Sequence, residues 1–171
     1  MLERLPDALL DSCRCNPAAP LAGDPGQDFG LEKNASAAQF EAIKQYLDQQ
    51  QQLLWANRRQ ALLLWLQGPD CSGKDGAIRH LFRGLNPQGV DVSNFQLPSA
   101  AERQEHFLAR YQRRLPPLGS IGIFNRSPYE GVVGDRHDGF IGAEQVSPRL
   151  QQIAAFEDQL QGAGILLCKV Y

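Results

Sequence analysis

Apolar and polar positions along this chain switch between a helical and an extended period, and the switches mark a series of elements. Residues 61–66 read Ala-Leu-Leu-Leu-Trp-Leu, an unbroken apolar run between a charged, glutamine-rich stretch and Gly68. A run without a polar face predicts a strand buried on both sides, as in the middle of a parallel sheet. Ahead of it, Ser36-Ala-Ala-Gln39 has the form of a capping box, and Phe40, Ile43 and Leu47 follow on one face. A helix is therefore predicted from Ser36 to about Asn57, with Gln49 to Gln52 on its solvated side. A second helix is predicted from about Gly73 to Arg83, closed by the turn Gly84-Leu-Asn-Pro-Gln-Gly89. Val90 to Leu97 reads as the second strand.

Pro98-Ser99-Ala-Ala-Glu102 forms another capping box, so a helix is predicted from there to about Arg114, where Leu115-Pro-Pro-Leu-Gly119 breaks it. Ser120 to Phe124 is the third predicted strand. Residues 131–146 mix glycine with charge and predict loop or irregular helix. Ser147 and Pro148 suit an N-cap and a first helical position, predicting a helix to about Gln161 with Leu150, Ile153 and Leu160 inward. Ile165 to Tyr171 is the fourth strand. Strands alternating with helices predict an α/β fold: a parallel sheet flanked by helices, with right-handed crossovers and a ligand cleft at the carboxyl ends of the strands. Residues 1–35, rich in proline and glycine, predict an extended lead-in, which leaves 36–171 as the folded domain.

The chemistry sits next to the central strand. Gly68 to Lys74 spells G-x-x-x-x-G-K, followed by Asp75 and Gly76. In such a loop the glycines let backbone N–H groups turn toward an anion, the lysine adds a point charge, and the next helix aims its N-terminus at the same phosphate. Position 75 departs from the general pattern, which places Ser or Thr there as a Mg2+ ligand. With Asp70 inside the loop, two carboxylates surround a polyanion site, which calls for a cation between them or a base.

Composition narrows the classes. At 171 residues, 43% apolar and 21% charged, the chain has the length and balance of one globular domain. A net charge of −2 argues against a general nucleic-acid or membrane-surface binder, and no apolar run is long enough to span a bilayer. Cys13, Cys15, Cys71 and Cys168 have neither zinc nor thioredoxin spacing, which predicts reduced thiols in a cytoplasmic protein.

Four blocks in order give the chain a resemblance to the polyphosphate kinase 2 family, over roughly residues 24–171. They are Leu66-Gln-Gly-Pro-Asp-Cys-Ser-Gly-Lys-Asp-Gly76, Gly84-Leu-Asn-Pro-Gln-Gly-Val90, Phe95-Gln-Leu-Pro-Ser99 with Glu102, and Ile121-Gly-Ile-Phe-Asn-Arg-Ser-Pro-Tyr-Glu130. A weaker fifth is Ala155-Phe-Glu157. The resemblance implies a P-loop kinase-like fold and Mg2+-dependent phosphoryl transfer between inorganic polyphosphate and ADP/ATP or GDP/GTP, with AMP as a further acceptor. It implies catalytic roles for Asp70, Lys74 and Arg126, and phosphate or nucleotide contacts from Gly68, Cys71, Ser72, Gly73, Lys74, Asp75, Gly76 and Arg136. Asp70 and Asn125 would serve the metal, and Arg79, Arg83, Arg110, Arg113 and Arg114 would form either a basic track or ordinary solvated charge.

Departures from the family pattern keep alternatives open. Pro128 replaces a hydrogen-bonding side chain, Gly131 replaces a carboxylate, Gly134 and Asp135 loosen the stretch before Arg136, and Glu105-His106 reverses the usual charge order. The chain also stops at Tyr171, which predicts a fold incomplete at its C-terminus, without the family's arginine-bearing lid, and with a sheet edge free for self-association. The residues thus support an enzyme, a non-catalytic phosphate-binding or assembly module, or an ATP-dependent small-molecule kinase.

Overall fold

A computed structural model of the chain describes Asp11, Arg14 and residues 33–171. The predicted lead-in over 1–35, with Cys13 and Cys15, lies otherwise outside the described residues. The first helix, α1, spans Lys33–Asn57, and packing divides the chain inside it, between Leu47 and Asp48. The part that follows, 48–171, carries the sheet.

Four strands, β1 (Ala61–Leu66), β2 (Val90–Asn94), β3 (Ile121–Asn125) and β4 (Ile165–Val170), form one parallel sheet in the order β2-β3-β1-β4. The apolar run of β1 does what its pattern predicts. Ala61, Leu63 and Trp65 pack on one face with Phe124, Ile153, Phe156 and Leu160, while Leu64 and Leu66 pack on the other with Ile121 and Ile123. Helix α2 (Lys74–Phe82) covers the second face through Ile78, Leu81 and Phe82, with Leu54 of α1 beside them. Fully burying side chains of this size is worth about 1.5–3 kcal/mol each, so the sheet centre carries much of the stability.

Register fixes where the site lies. Leu66 pairs with Asn125 on one side and Val170 on the other, and Asn125 pairs with Asn94. The strands therefore end in one row, and the loops after β1, β2 and β3 meet along a single edge.

The helices differ from expectation in several places. Gln51 is buried (2% exposed) rather than solvated: its amide donates to the Asn86 carbonyl at 2.8 Å and accepts from the Asn86 N–H at 2.9 Å. That side chain pins the Asn86-Pro-Gln-Gly89 turn, and a Cβ at Gly89 would come within 2.8 Å of it. The Ser99–Glu102 capping box forms in both directions, at 2.8 and 3.2 Å, but the long helix does not. A 3-10 turn over Glu102–Gln104 gives way to extended backbone at Glu105, then to a single turn, α3 (Ala109–Gln112). The break lets Phe107 lie against Gly131, where a Cβ would be 2.6 Å from its ring, while Leu108 and Tyr111 enter the core.

Residues 131–146, expected as loop or irregular helix, are two helices joined by a turn over 138–142: α4 spans Glu130–His137 and α5 spans Ala143–Gly162. Helix α5 starts ahead of Ser147 because the Gln145 side chain accepts the Gly142 N–H at 3.1 Å, which places Pro148 inside the helix. Its inward face is Ile153, Phe156 and Leu160, whereas Leu150 is 42% exposed. At that end the inward position belongs to Arg149, which bonds Asp135 at 2.5 Å and lies over the Phe107 ring.

Candidate active site

The turn from β1 into α2 is a phosphate loop in its local geometry. Cys71 and Gly73 both have left-handed backbone, φ 64° and 89°, and the Ser72 N–H closes on the Pro69 carbonyl at 3.3 Å. A Cβ at Gly68 would lie 2.9 Å from the Ser72 hydroxyl, so glycine leaves that hydroxyl room. No side chain caps α2 at Gly73, which leaves the electropositive end of the helix without a side-chain partner where its first residues line the loop cavity. Gly68 sets the loop's entry, and Cys71, Ser72, Gly73, Lys74, Asp75 and Gly76 line this cavity of about 310 Å3 with Asp70, Asn125 and Arg126.

Lys74 is folded onto its own loop. Its ammonium donates to the carbonyls of Gly68 (2.8 Å) and Pro69 (2.7 Å) and to the Ser72 hydroxyl (3.3 Å). These are the contacts an incoming phosphate would replace. Across the strand ends, Arg126 donates to Asp70 at 3.1 Å, joining the loop after β3 to the loop after β1. The Asp70 carboxylate stays 86% exposed within that pair, so solvent screening keeps the contact weak and openable. Glu130, four residues after Arg126, accepts from the Gln67 amide at 2.7 Å.

Asn125 sits between the sheet edge and α2. Its amide donates to Asp75 at 2.7 Å and to Asn94 at 3.0 Å, while its own Oδ1 is buried without a hydrogen-bond partner. With Asp70 and Asp75, which line the same cavity, Asn125 makes an oxygen-bearing set of side chains. It fits a small hard cation that takes one or two protein carboxylates and completes its shell with phosphate and water. Among the described residues there is no cluster of three or more His, Cys, Asp or Glu side chains that would hold a metal alone.

Asp70 and Arg126 also line a second, larger cavity of about 450 Å3, walled by Phe95, Pro98, Phe107, Arg110, Phe140 and Arg149 among others. Arg110 and Arg149 are engaged there. Arg110 bonds the Gln96 carbonyl at 2.9 Å, lies near Glu102 and stacks over Phe95; Arg149 holds Asp135 and the Gly131 carbonyl. Arg113 pairs with Glu105 at 2.5 Å. Arg136 is exposed on α4 and lines neither cavity, so the fold does not bring it to the loop.

The sequence reading missed a buried polar chain behind the site. Gln67 accepts from the Ser127 N–H (3.1 Å) and hydroxyl (2.8 Å), and the Tyr111 hydroxyl donates to the Ser127 carbonyl (3.0 Å). Burial pushes the Tyr111 phenol well above its usual range, so it remains a donor. The signal for this chain was faint: a polar residue wedged between an apolar strand and the loop glycine.

A parallel sheet with a phosphate loop after its central strand, and an acid–arginine pair at the cleft, defines a phosphate-loop kinase-like α/β protein. The chain belongs to the polyphosphate kinase 2 family, whose model matches residues 30–171. It is similar to a crystal structure of polyphosphate kinase 2 from Arthrobacter aurescens at 32% identity and a TM-score of 0.86, covering 92% of this chain and 58% of that one. An AMP/ADP-polyphosphate phosphotransferase of Meiothermus ruber is 32% identical over 166 residues, 97% of this chain and 60% of the relative. An ADP-polyphosphate phosphotransferase of Rhodopseudomonas palustris is 55% identical over 83 residues, 48% of this chain and 29% of the relative. The chain thus spans between about a third and three fifths of these curated relatives.

Proposed function

We propose that this chain acts as a polyphosphate-dependent nucleotide phosphotransferase, moving a phosphoryl group between inorganic polyphosphate and a nucleoside mono- or diphosphate. The observation that carries this reading is the meeting of Lys74, the uncapped α2 N-terminus and the Asp70–Arg126 pair in one cleft. In that reading Lys74 exchanges its loop carbonyls for phosphate oxygens. Arg126 leaves Asp70 and neutralises charge on the transferring group, and Asp70 orients the accepting phosphate. Such transfer is catalysed mainly by positioning and charge neutralisation, which is what these residues offer.

Asp70, Asp75 and Asn125 would hold Mg2+, which would supply positive charge to neutralise phosphate oxygens. ADP/ATP, GDP/GTP and AMP are the nucleotides proposed, in keeping with the relatives' names. Residues 36–171 would form the catalytic domain behind a lead-in over 1–35.

The proposed cytoplasmic location rests on cysteines without zinc or thioredoxin spacing, and the net charge of −2 speaks against a general nucleic-acid or membrane-surface binder. No helix among the described residues is long and apolar enough to cross a membrane. Self-association at β4 is supported by its place at the sheet edge and by Leu166 and Val170, 50% and 46% exposed.

The test is ATP formation from ADP and polyphosphate with Mg2+, beside samples holding EDTA and samples in which ATP is the sole phosphoryl donor. Turnover that needs both polyphosphate and metal is expected. Turnover with ATP as sole donor would favour an ordinary small-molecule kinase, and polyphosphate binding without turnover would leave a binding module.

A further inference from the structure

Gln67 joins the two loops that make the cleft, and its backbone and side chain serve different neighbours. Its N–H donates to the Val170 carbonyl at 2.9 Å, where the β1 edge gives way to the phosphate loop. Its side-chain Oε1 accepts twice from Ser127, and its Nε2 donates to Glu130 at 2.7 Å. A carboxylate only accepts, so Glu130 fixes which way the Gln67 amide points.

Ser127 is 1% exposed and follows Arg126, whose backbone is left-handed at φ 73°. A side-chain-bearing residue keeps that conformation only where its surroundings over-determine it. Here they do: the Arg126 N–H bonds the Leu66 carbonyl (2.9 Å), and the N–H, hydroxyl and carbonyl of Ser127 are all engaged. Two of these bonds end on the one oxygen of Gln67.

We propose that Gln67 is a positioning residue for Arg126: the Glu130–Gln67–Ser127 chain holds the 125–127 turn in the backbone conformation that sends the Arg126 guanidinium to Asp70. The structural part stands on these contacts alone, and its consequence for turnover rests on the phosphoryl-transfer reading. Arg126 would otherwise sample the extended backbone common to non-glycine residues and swing away from the cleft.

The direct test is the side-chain Nε–H resonance of Arg126 in the full chain, comparing parent with Gln67→Leu. In the parent it should report an ordered guanidinium, distinct from exposed Arg79 and Arg83. In Gln67→Leu its heteronuclear NOE should fall to their level while the amides of Leu63 and Ile123 stay in place. An unchanged Arg126 signal would overturn the proposal. In turnover, Gln67→Leu should lower kcat about 100-fold with KM for ADP within about twofold. The same change on an Arg126→Ala background should alter kcat by less than about twofold, whereas effects that simply multiply would sink the coupling. Ser127→Ala removes only the hydroxyl contact and serves if Gln67→Leu does not fold; it should cost about tenfold in kcat and loosen Arg126 part-way. A parent chain without turnover would remove the phosphoryl-transfer reading, while the Arg126 resonance still decides the positioning.

Discussion

Arg126 shows how a single residue is committed by its backbone. Its left-handed φ of 73° and its 3.1 Å bond to Asp70 place a planar guanidinium at the junction of the two cavities. Lysine at this position would keep the charge but lose the fork that spans phosphate oxygens. Arg126→Lys is expected to lower kcat about 100-fold with the melting temperature nearly unchanged, measured by steady-state turnover beside thermal unfolding. That Asp70, Lys74 and Arg126 share one cleft was legible in the sequence, because the loop and the Asn125-Arg126 pair each follow a predicted strand end, while their catalytic roles are what the resemblance implies. Gln67 and Ser127 were not, because nothing local distinguishes a structural amide from a solvated one. Their role exists only once the ends of β1 and β3 lie side by side. Arg136, a phosphate contact only by the resemblance, is exposed on α4 and lines neither cavity described above.

Among the elements, those built on apolar runs were the readable ones. β1 matches its predicted span residue for residue, and β3 is displaced by one. Helices set by capping signals were less readable, since a cap fixes where a turn starts and not how far it propagates. The Ser99–Glu102 box forms as predicted, yet packing Phe107 against the core and burying Leu108 and Tyr111 ends the helix within one turn. The Ser99 N–H and then its hydroxyl hold the Glu102 carboxyl below the usual glutamate range, against the opposing effect of burial and with help from Arg110. A depressed carboxylate contributes stability above its unfolded pKa, about 4.3, and loses it as pH falls through the lower folded value. Exchange protection of the Ser99 amide should therefore hold at neutral pH and disappear as the solution is acidified through and below the usual glutamate range. In α5, Pro148 is exposed and removes one i to i−4 bond, that to Glu144, without any packing in return. Pro148→Ala should stabilise the protein by about 1 kcal/mol or more in urea unfolding.

At the scale of the whole molecule, one sheet edge collects everything the proposed chemistry needs. The row Asn94, Asn125, Leu66 and Val170 brings the phosphate loop, the asparagine pair and the Arg126 turn together. The far side of β4 presents Leu166, Cys168 and Val170 to solvent, on the face where Leu62, Leu64 and Leu66 are their partners in register. The α/β order was legible from alternating periods, whereas sheet order was not, because β2 pairs with β3 and never touches β1 in the ladder. The central claim is that phosphoryl transfer takes place at the loop, with Lys74 moving from its own carbonyls to the phosphate. It is tested most directly by ATP formation from ADP and polyphosphate with Mg2+, on the parent chain beside Lys74→Ala. The account predicts turnover in the parent and a loss of about 100- to 1,000-fold in the variant, with both folded alike. Equal turnover in the two chains, or none in a folded parent, would contradict it.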